Sequence, residues 1–312
     1  MRVVFMGTPE FAVPSFKALF ELDGFEVVGV FTQPDRPVGR GHKVEVTPVK
    51  RAAEEMGVPV FQFERIRKQE GLDALRSLKP DIVVTAAFGQ ILSKKILEVP
   101  TLGTVNVHAS LLPRHRGAAP INWCILQGDK VTGVTTMLTD VGLDTGDMLY
   151  KKEIEIGENE TAGQLTERLS YVGAEVLKET LPDFASGKIT PVKQNEDEMT
   201  YDPMLYKELG KIDWKKSARE IDCLVRGVNP WPGAFSRMNG DVIKIWLAKA
   251  LDRKTDALPG TVLGASAKEG LIVACGNGET IEIIEMQAPN AKRMTAKAYL
   301  SGKKLGERFD EE

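Results

Sequence analysis

The sequence predicts an α/β chain: a doubly wound, mostly parallel sheet followed by a small all-β domain. Three observations carry this. In the first half, short β-branched runs alternate with segments of helical apolar spacing. A polar stretch containing Pro191 and Pro203 then interrupts every periodicity. Beyond it, short strand-like runs sit between turn residues, as in a small barrel or sandwich. A length of 312 residues also favours two cores over one. The expected boundaries are 1–186 for the α/β domain, 187–207 for a linker and 208–312 for the β domain.

The elements follow in order. Arg2–Met6 is an apolar run ending in Gly7-Thr8-Pro9, and helical spacing runs from Phe11 to Leu22. Further strands are expected at Glu26–Phe31, Asp81–Ala86, Gly103–His108, Gly133–Thr139 and Tyr150–Ile156. Helical patterns occupy Val49–Met56, Leu72–Leu78, Ile91–Leu97, Ala118–Gln127 and Ala162–Phe184. Parallel strands need such crossovers, which cover both faces of the sheet. After a helix at Ala218–Val228, strands are expected at Val242–Leu247, Gly260–Leu263, Leu271–Ala274 and Thr280–Glu285.

Bulk properties exclude several classes. A net charge of −3 gives no general attraction to polyanions, so nucleic acid can be held only by local basic patches. Three widely spaced cysteines (Cys124, Cys223, Cys275) fit no metal pattern and read as buried, reduced thiols of a cytoplasmic protein. The N-terminus lacks a signal-peptide pattern, and no run is long enough to span a membrane. Gly7-Thr8-Pro9 lacks the later glycines of a dinucleotide loop and has proline where an N–H would meet phosphate, which disfavours a nicotinamide oxidoreductase.

Chemistry concentrates in Asn106-Val107-His108-Ala109-Ser110-Leu111-Leu112-Pro113-Arg114-His115-Arg116-Gly117. On a strand, residues two apart share a face, so Asn106 and His108 project together while Val105 and Val107 enter the core. An amide can donate to an oxygen gaining negative charge, and an imidazole can handle a proton near neutral pH. The plainer reading is that Asn106 ends the strand and His108 bonds a nearby carbonyl. His115, between two arginines, reads as a surface residue. Downstream, Asp140-Val141-Gly142-Leu143-Asp144-Thr145-Gly146-Asp147 is a compact acidic loop. It lacks the order of a calcium loop; two readings stand at this point, an aspartate that orients the imidazole and a solvated turn with aspartate caps.

Together, Asn106-x-His108, Ser110-Leu111-Leu112-Pro113 and Asp144 in a glycine-containing loop resemble the 10-formyltetrahydrofolate-dependent formyltransferases. So do Phe5–Pro9, Thr32–Pro37 with Gly39–Gly41, Arg116–Pro120 and Asn229-Pro230-Trp231-Pro232, so the likeness spans nearly the whole chain. It is strongest to members whose acceptor is methionine esterified to initiator tRNA. His115 departs from the pattern, which has an aromatic there. The resemblance implies a Rossmann-like formyltransferase domain and an OB-like C-terminal barrel assisting tRNA binding.

It also implies formyl transfer from 10-formyltetrahydrofolate, as co-substrate and without a metal, to the α-amine of methionyl-initiator tRNA. Asn106, His108 and Asp144 become the expected catalytic residues. Phe88, Gly89, Gln90, Ile91, Leu92, Ser110, Leu111, Leu112, Pro113, Asp140, Val141 and Gly142 become the expected folate-binding residues. Arg36, Arg40, His42 and Lys43 form a glycine-rich basic loop expected to contact tRNA, with Arg40 foremost. Basic edges of the second domain (Lys215, Lys216, Arg219, Lys292, Arg293) are expected to track the RNA backbone, and Trp231 to anchor a domain interface rather than stack on a base. A monomer is expected. The rival readings are formylation of a small amine, such as an amino sugar nucleotide or glycinamide ribonucleotide, and a folate-binding module without catalysis. The basic loop disfavours the former and the presence of all three catalytic residues the latter.

Overall fold

A computed structural model describes residues 1–38, 43–302 and 305–309. The strands are β1 (Arg2–Gly7), β2 (Glu26–Thr32), β3 (Arg36–Val38), β4 (Lys43–Glu45), β5 (Val60–Gln62), β6 (Ile82–Ala86), β7 (Thr104–His108), β8 (Arg116–Gly117), β9 (Val131–Leu138) and β10 (Met148–Glu155). They continue as β11 (Tyr201–Asp202), β12 (Ala234–Met238), β13 (Asp241–Leu251), β14 (Val262–Ser266), β15 (Gly270–Ala274), β16 (Thr280–Gln287) and β17 (Met294–Thr295). The helices are α1 (Ala12–Ala18), α2 (Pro48–Glu55), α3 (Gln69–Ser77), α4 (Lys94–Leu97), α5 (Pro120–Leu126), α6 (Ala162–Ala185), α7 (Ala218–Gly227) and α8 (Ala296–Leu300).

Two compact units emerge. The first comprises 1–120, 131–154 and 166–202; the second comprises 121–130, 155–165 and 203–312. The first is built on a seven-stranded sheet in the order β10-β9-β7-β6-β1-β2-β5. Pairings from β5 to β7 are parallel, and β9 runs antiparallel to β7. Val3, Val4, Phe5 and Met6 of β1 are wholly buried, as expected of a strand covered on both faces. Val4 and Met6 join Phe31, Ile66, Leu72, Leu75, Val83, Phe88 and Ile96 in one apolar cluster. The helix α2 starts where Thr47 accepts from the Lys50 N–H at 3.2 Å, with Pro48 in the first turn.

The stretch 187–202, expected as part of a linker, belongs to the first unit. Its polar text carries no apolar period, yet its backbone is paired. Val192 bridges Met148, and β11 runs parallel to β8. Side-chain and backbone hydrogen bonds hold it, a signal that periodicity does not report.

The second unit is an antiparallel sheet in the order β12-β13-β16-β15-β14, with β17 on β16, curled as a small barrel around an apolar core. Trp214, Ile243, Ile245, Leu271, Val273, Ile281, Ile283 and Phe309 fill that core, and Trp214 stacks on Phe309 at 5.1 Å between ring centroids. The helix α7 begins with a capping box between Ser217 and Glu220. Strand β12 escapes the sequence pattern because Ala-Phe-Ser-Arg-Met follows Gly233 with only weak alternation. Trp214 is wholly buried in this core, and Trp231 is 57% exposed. Cys124, Cys223 and Cys275 are buried, and no disulfide joins them.

Candidate active site

The parallel strands β1, β2, β6 and β7 end at Gly7, Thr32, Ala86 and His108, and their following loops form one edge. Doubly wound sheets bind ligands beyond this edge. Two side chains lace the loops together. Thr8 Oγ1 donates to the Phe88 carbonyl at 2.9 Å and accepts from the Gln33 N–H at 3.3 Å. Gln33 Nε2 donates to the Gly89 carbonyl at 2.8 Å.

Strand β7 carries the amide and the imidazole. Val105 and Val107 are buried, and Asn106, between them, is half-buried beside Thr85 of β6. The Thr85 hydroxyl donates to Asn106 Oδ1 at 2.8 Å, so the acceptor half of the amide is engaged. His108 Nε2 lies 2.9 Å from the His115 carbonyl. A carbonyl only accepts, so Nε2 carries a hydrogen and Nδ1 is left for chemistry. The plainer expectation for His108, a bond to a nearby carbonyl, therefore holds, and the same bond sets which nitrogen is available.

Asp144 meets that nitrogen. Its Oδ1 lies 3.6 Å from His108 Nδ1, with the two side chains only 15% and 7% exposed. Oδ2 accepts from the Gly117 N–H at 2.9 Å. Asp144 has φ +55°, a left-handed conformation that aspartate and asparagine tolerate better than most residues. Gly117, at φ +112°, lies where a Cβ would come 2.4 Å from the Asp202 carbonyl, so only glycine fits. The structure thus brings together an imidazole and a carboxylate 36 residues apart, with the amide two residues upstream on the same strand face.

The loop between β7 and β8 is fixed from beneath. Thr135 Oγ1 donates to the Ser110 carbonyl at 2.7 Å and accepts from the Leu112 N–H at 3.1 Å. Lys151 Nζ donates to the Leu112 carbonyl at 2.6 Å, and Leu112 packs with Met137 and Met148. His115, expected on the surface, is 3% exposed: its Nδ1 lies 2.7 Å from Asp202 Oδ2, and its N–H donates to Thr200 Oγ1 at 2.8 Å. Flanking charges suggested solvent, but Arg116 is itself buried and holds Glu196 through two nitrogens at 2.8 and 3.0 Å.

The expected folate residues divide by environment. Phe88, Ser110, Leu112 and Pro113 are buried, and the carbonyls of Phe88, Ser110 and Leu112 are already engaged by Thr8, Thr135 and Lys151. Gln90 donates to the Phe63 carbonyl and accepts from the Ile66 N–H. Gly89, Leu92 and Leu111 lie on the same two loops. Asp140 caps its own turn, accepting from the Gly142 N–H at 3.0 Å and from Thr145 Oγ1 at 2.7 Å. Ile91, Val141 and Leu143 are 75%, 72% and 55% exposed, apolar side chains presented to solvent on the loops after β6 and β9. A separate surface hollow of about 440 Å³, lined by Arg76, Lys79, Asp81, Lys95 and Glu98, lies near the start of β6 and contains none of the three catalytic candidates.

Of the expected tRNA contacts, Arg36 is 60% exposed at its side chain and pairs with Glu64 at 2.5 Å. Arg40, His42 and the side chain of Lys43 lie outside the described residues. In the second unit, Lys216 pairs with Glu220, and Arg293 pairs with Glu285 while lying 5.3 Å from the Trp246 ring centroid. Sequence reasoning missed Thr85, Gln194 and Asp202, because isolated polar residues carry no pattern until their partners are known. Among the described residues, no cluster of three or more His, Cys, Asp or Glu could hold a metal, and no helix is long and apolar enough to cross a membrane.

An amide donor, a buried imidazole and a carboxylate at the carboxyl edge of such a sheet define a site suited to group transfer at a carbonyl carbon. Residues 1–181 match the formyl transferase family and residues 204–304 the formyl transferase C-terminal domain. A methionyl-tRNA formyltransferase of Acetivibrio thermocellus is 49% identical over 308 residues, 98% of each chain. One from Clostridioides difficile is 49% identical over 302 residues, 97% of each. Among solved structures, a sugar 3N-formyltransferase in the presence of dTDP and 5-N-formyl-THF aligns with a TM-score of 0.67 at 19% identity, over 94% of this chain and 99% of that one. The N-formyltransferase from Helicobacter canadensis with folinic acid and dTDP-3-aminofucose aligns with a TM-score of 0.65, also at 19% identity and the same coverage. The chain belongs to the formyl transferase family.

Proposed function

We propose that the protein transfers the formyl group of 10-formyltetrahydrofolate to the α-amine of methionine esterified to initiator tRNA, preparing it for translation initiation. The observation that carries the acceptor assignment is the 49% identity to methionyl-tRNA formyltransferases over nearly the full length of both chains. The sugar formyltransferases, at 19% identity, share the fold.

In this reading the amine attacks the formyl carbon, a tetrahedral oxyanion forms, and the bond to the folate nitrogen breaks. The amine loses a proton and the folate nitrogen gains one. Asn106, its Oδ1 engaged by Thr85, turns its NH₂ to the oxyanion. His108, with Nε2–H engaged by the His115 carbonyl, supplies Nδ1–H. Such donors matter because they are oriented before charge develops. Asp144 is too far from Nδ1 for a direct hydrogen bond, so it acts by charge and orientation and accepts the amine's proton. The exposed Ile91, Val141 and Leu143 offer apolar cover for the pterin. The basic loop, with Arg36, Arg40, His42 and Lys43, contacts the tRNA, Arg40 foremost, and the second domain assists.

The test supplies 10-formyltetrahydrofolate with methionyl-initiator tRNA or with an amino sugar nucleotide. Formyl label is expected on the tRNA-borne methionine, and label on the sugar alone overturns the assignment. Asn106→Ala should lose about 100- to 1000-fold in kcat, the effect of one oxyanion donor. Binding of tRNA should weaken steeply between 50 and 200 mM salt on the order expected for phosphate contacts; affinity indifferent to salt counts against the basic loop.

A further inference from the structure

His108 and Asp144 stand on separate pieces of chain, and at 3.6 Å no direct hydrogen bond fixes their spacing. The scaffold must set it. We propose that Gln194 is a positioning residue that fixes the separation of His108 and Asp144 by clamping the Asp144 loop to the segment 115–117 that holds the His108 ring, an inference that rests on the formyl-transfer reading above.

The clamp is a closed ring of contacts. Gln194 Nε2 donates to the carbonyls of Asp144 and Gly146, each at 2.8 Å. Gln194 Oε1 accepts from Arg116 Nε at 2.9 Å. Arg116 follows His115, whose carbonyl accepts from His108 Nε2, and precedes Gly117, whose N–H donates to Asp144 Oδ2. One side-chain amide therefore spans both arms of the site with two donations and one acceptance, a combination that neither a carboxylate nor an apolar side chain can reproduce.

The rest of the strap anchors to the histidine arm. Glu196 takes two nitrogens of Arg116, and the Thr200 and Asp202 carbonyls accept from the N–H groups of Arg116 and Ala118, both at 2.9 Å. Asp202 Oδ2 meets His115 Nδ1 at 2.7 Å. Within 194–202, among the described residues, Gln194 is the side chain that reaches the Asp144 arm. Catalytic geometry is sensitive on this scale: a displacement of about 1 Å can cost about 100-fold in rate.

Two variants separate positioning from plain packing. Gln194→Met keeps the side chain's length and loses all three polar contacts. Gln194→Glu keeps the acceptor facing Arg116 and places a carboxylate against two carbonyls. In both, kcat should fall 10- to 100-fold, with KM for the folate donor and for the tRNA within twofold and the thermal midpoint within a few degrees. Lys193→Ala, an exposed neighbour, should match the wild type. Because the chain has only three histidines, ¹⁵N-imidazole spectra can resolve His108. Its Nδ1 signal should move in both Gln194 variants while Nε2 remains a donor.

A folded Gln194→Met protein with kcat within twofold and an unmoved His108 signal overturns the proposal. So does a loss confined to KM. Failure of both variants to fold overturns it too, since Gln194 would then hold the unit rather than the site. If the wild-type protein formylates neither acceptor, the functional reading fails, and the His108 signals still decide whether the clamp exists.

Discussion

Replacing Asp144 by asparagine removes the charge beside His108 together with the group proposed to accept the amine's proton, while leaving the loop's shape. The change keeps an oxygen to accept from the Gly117 N–H, and asparagine tolerates the left-handed backbone at φ +55°, so the loop should survive. What disappears is a negative charge 3.6 Å from His108 Nδ1 in a site where both side chains are largely buried. At an effective dielectric of about 20, unit charges at that distance attract by about 4–5 kcal/mol. If His108 is positively charged in the transition state, losing most of this term slows the reaction by roughly 10³-fold. Burial also shields the pair from salt, so the ratio of wild-type to variant kcat should hold between about 50 and 500 mM salt. The assay is single-turnover formyl transfer at saturating folate and methionyl-tRNA, with circular dichroism confirming the fold. A loss below about tenfold, or a ratio that collapses with salt, refutes charge stabilisation by Asp144 and leaves it a loop-shaping residue.

Three further outcomes follow from the packing and the charges. Gly146→Ala should cost about 3 kcal/mol in urea unfolding, since its Cβ would fall 1.6 Å from the Leu138 carbonyl; an unchanged midpoint refutes this. Burial pushes the Cys275 thiol up to about 12 and also raises Cys223, so neither should react with iodoacetamide at pH 8 in the native protein. Mass spectrometry finding either labelled at the rate of an ordinary thiol would contradict that. Burial pushes the Asp35 carboxyl up, but hydrogen bonds from Lys50 and Gln62 and the charge of Lys50 outweigh it and hold it below its ordinary 3.8. A lowered carboxylate stabilises the fold at neutral pH and loses that contribution as pH falls through its folded value. Lys50→Met should therefore cost roughly 1 kcal/mol at pH 7, with the gap to wild type closing below pH 3.8.

The α/β order was legible because its signals are local. Apolar runs such as Val3–Met6 and Ile82–Val84 are buried on both faces, and no charged residue interrupts them. The alternation in Thr104–His108 likewise places Asn106 and His108 on one face before any tertiary contact is known. Patterns of this kind failed at Ala234–Met238, where membership in a sheet is set by the partner β13. They failed again at 194–202, whose order comes from hydrogen bonds to side chains up to 87 residues away.

The sequence by itself determined which chemistry was available: a strand presenting an amide and an imidazole, a proline-stiffened loop, and an acidic turn. Periodicity and backbone preference are encoded over a few residues, so they survive reading without a fold. Asp144 was already singled out by the resemblance, but tertiary structure alone decided how far it lies from His108, which imidazole nitrogen is engaged, and that His115 is buried. It also decided that a polar stretch read as a linker lies across both arms of the site. Those facts depend on distances of a few ångströms between residues dozens of positions apart, and such distances are set by the packing of the whole sheet.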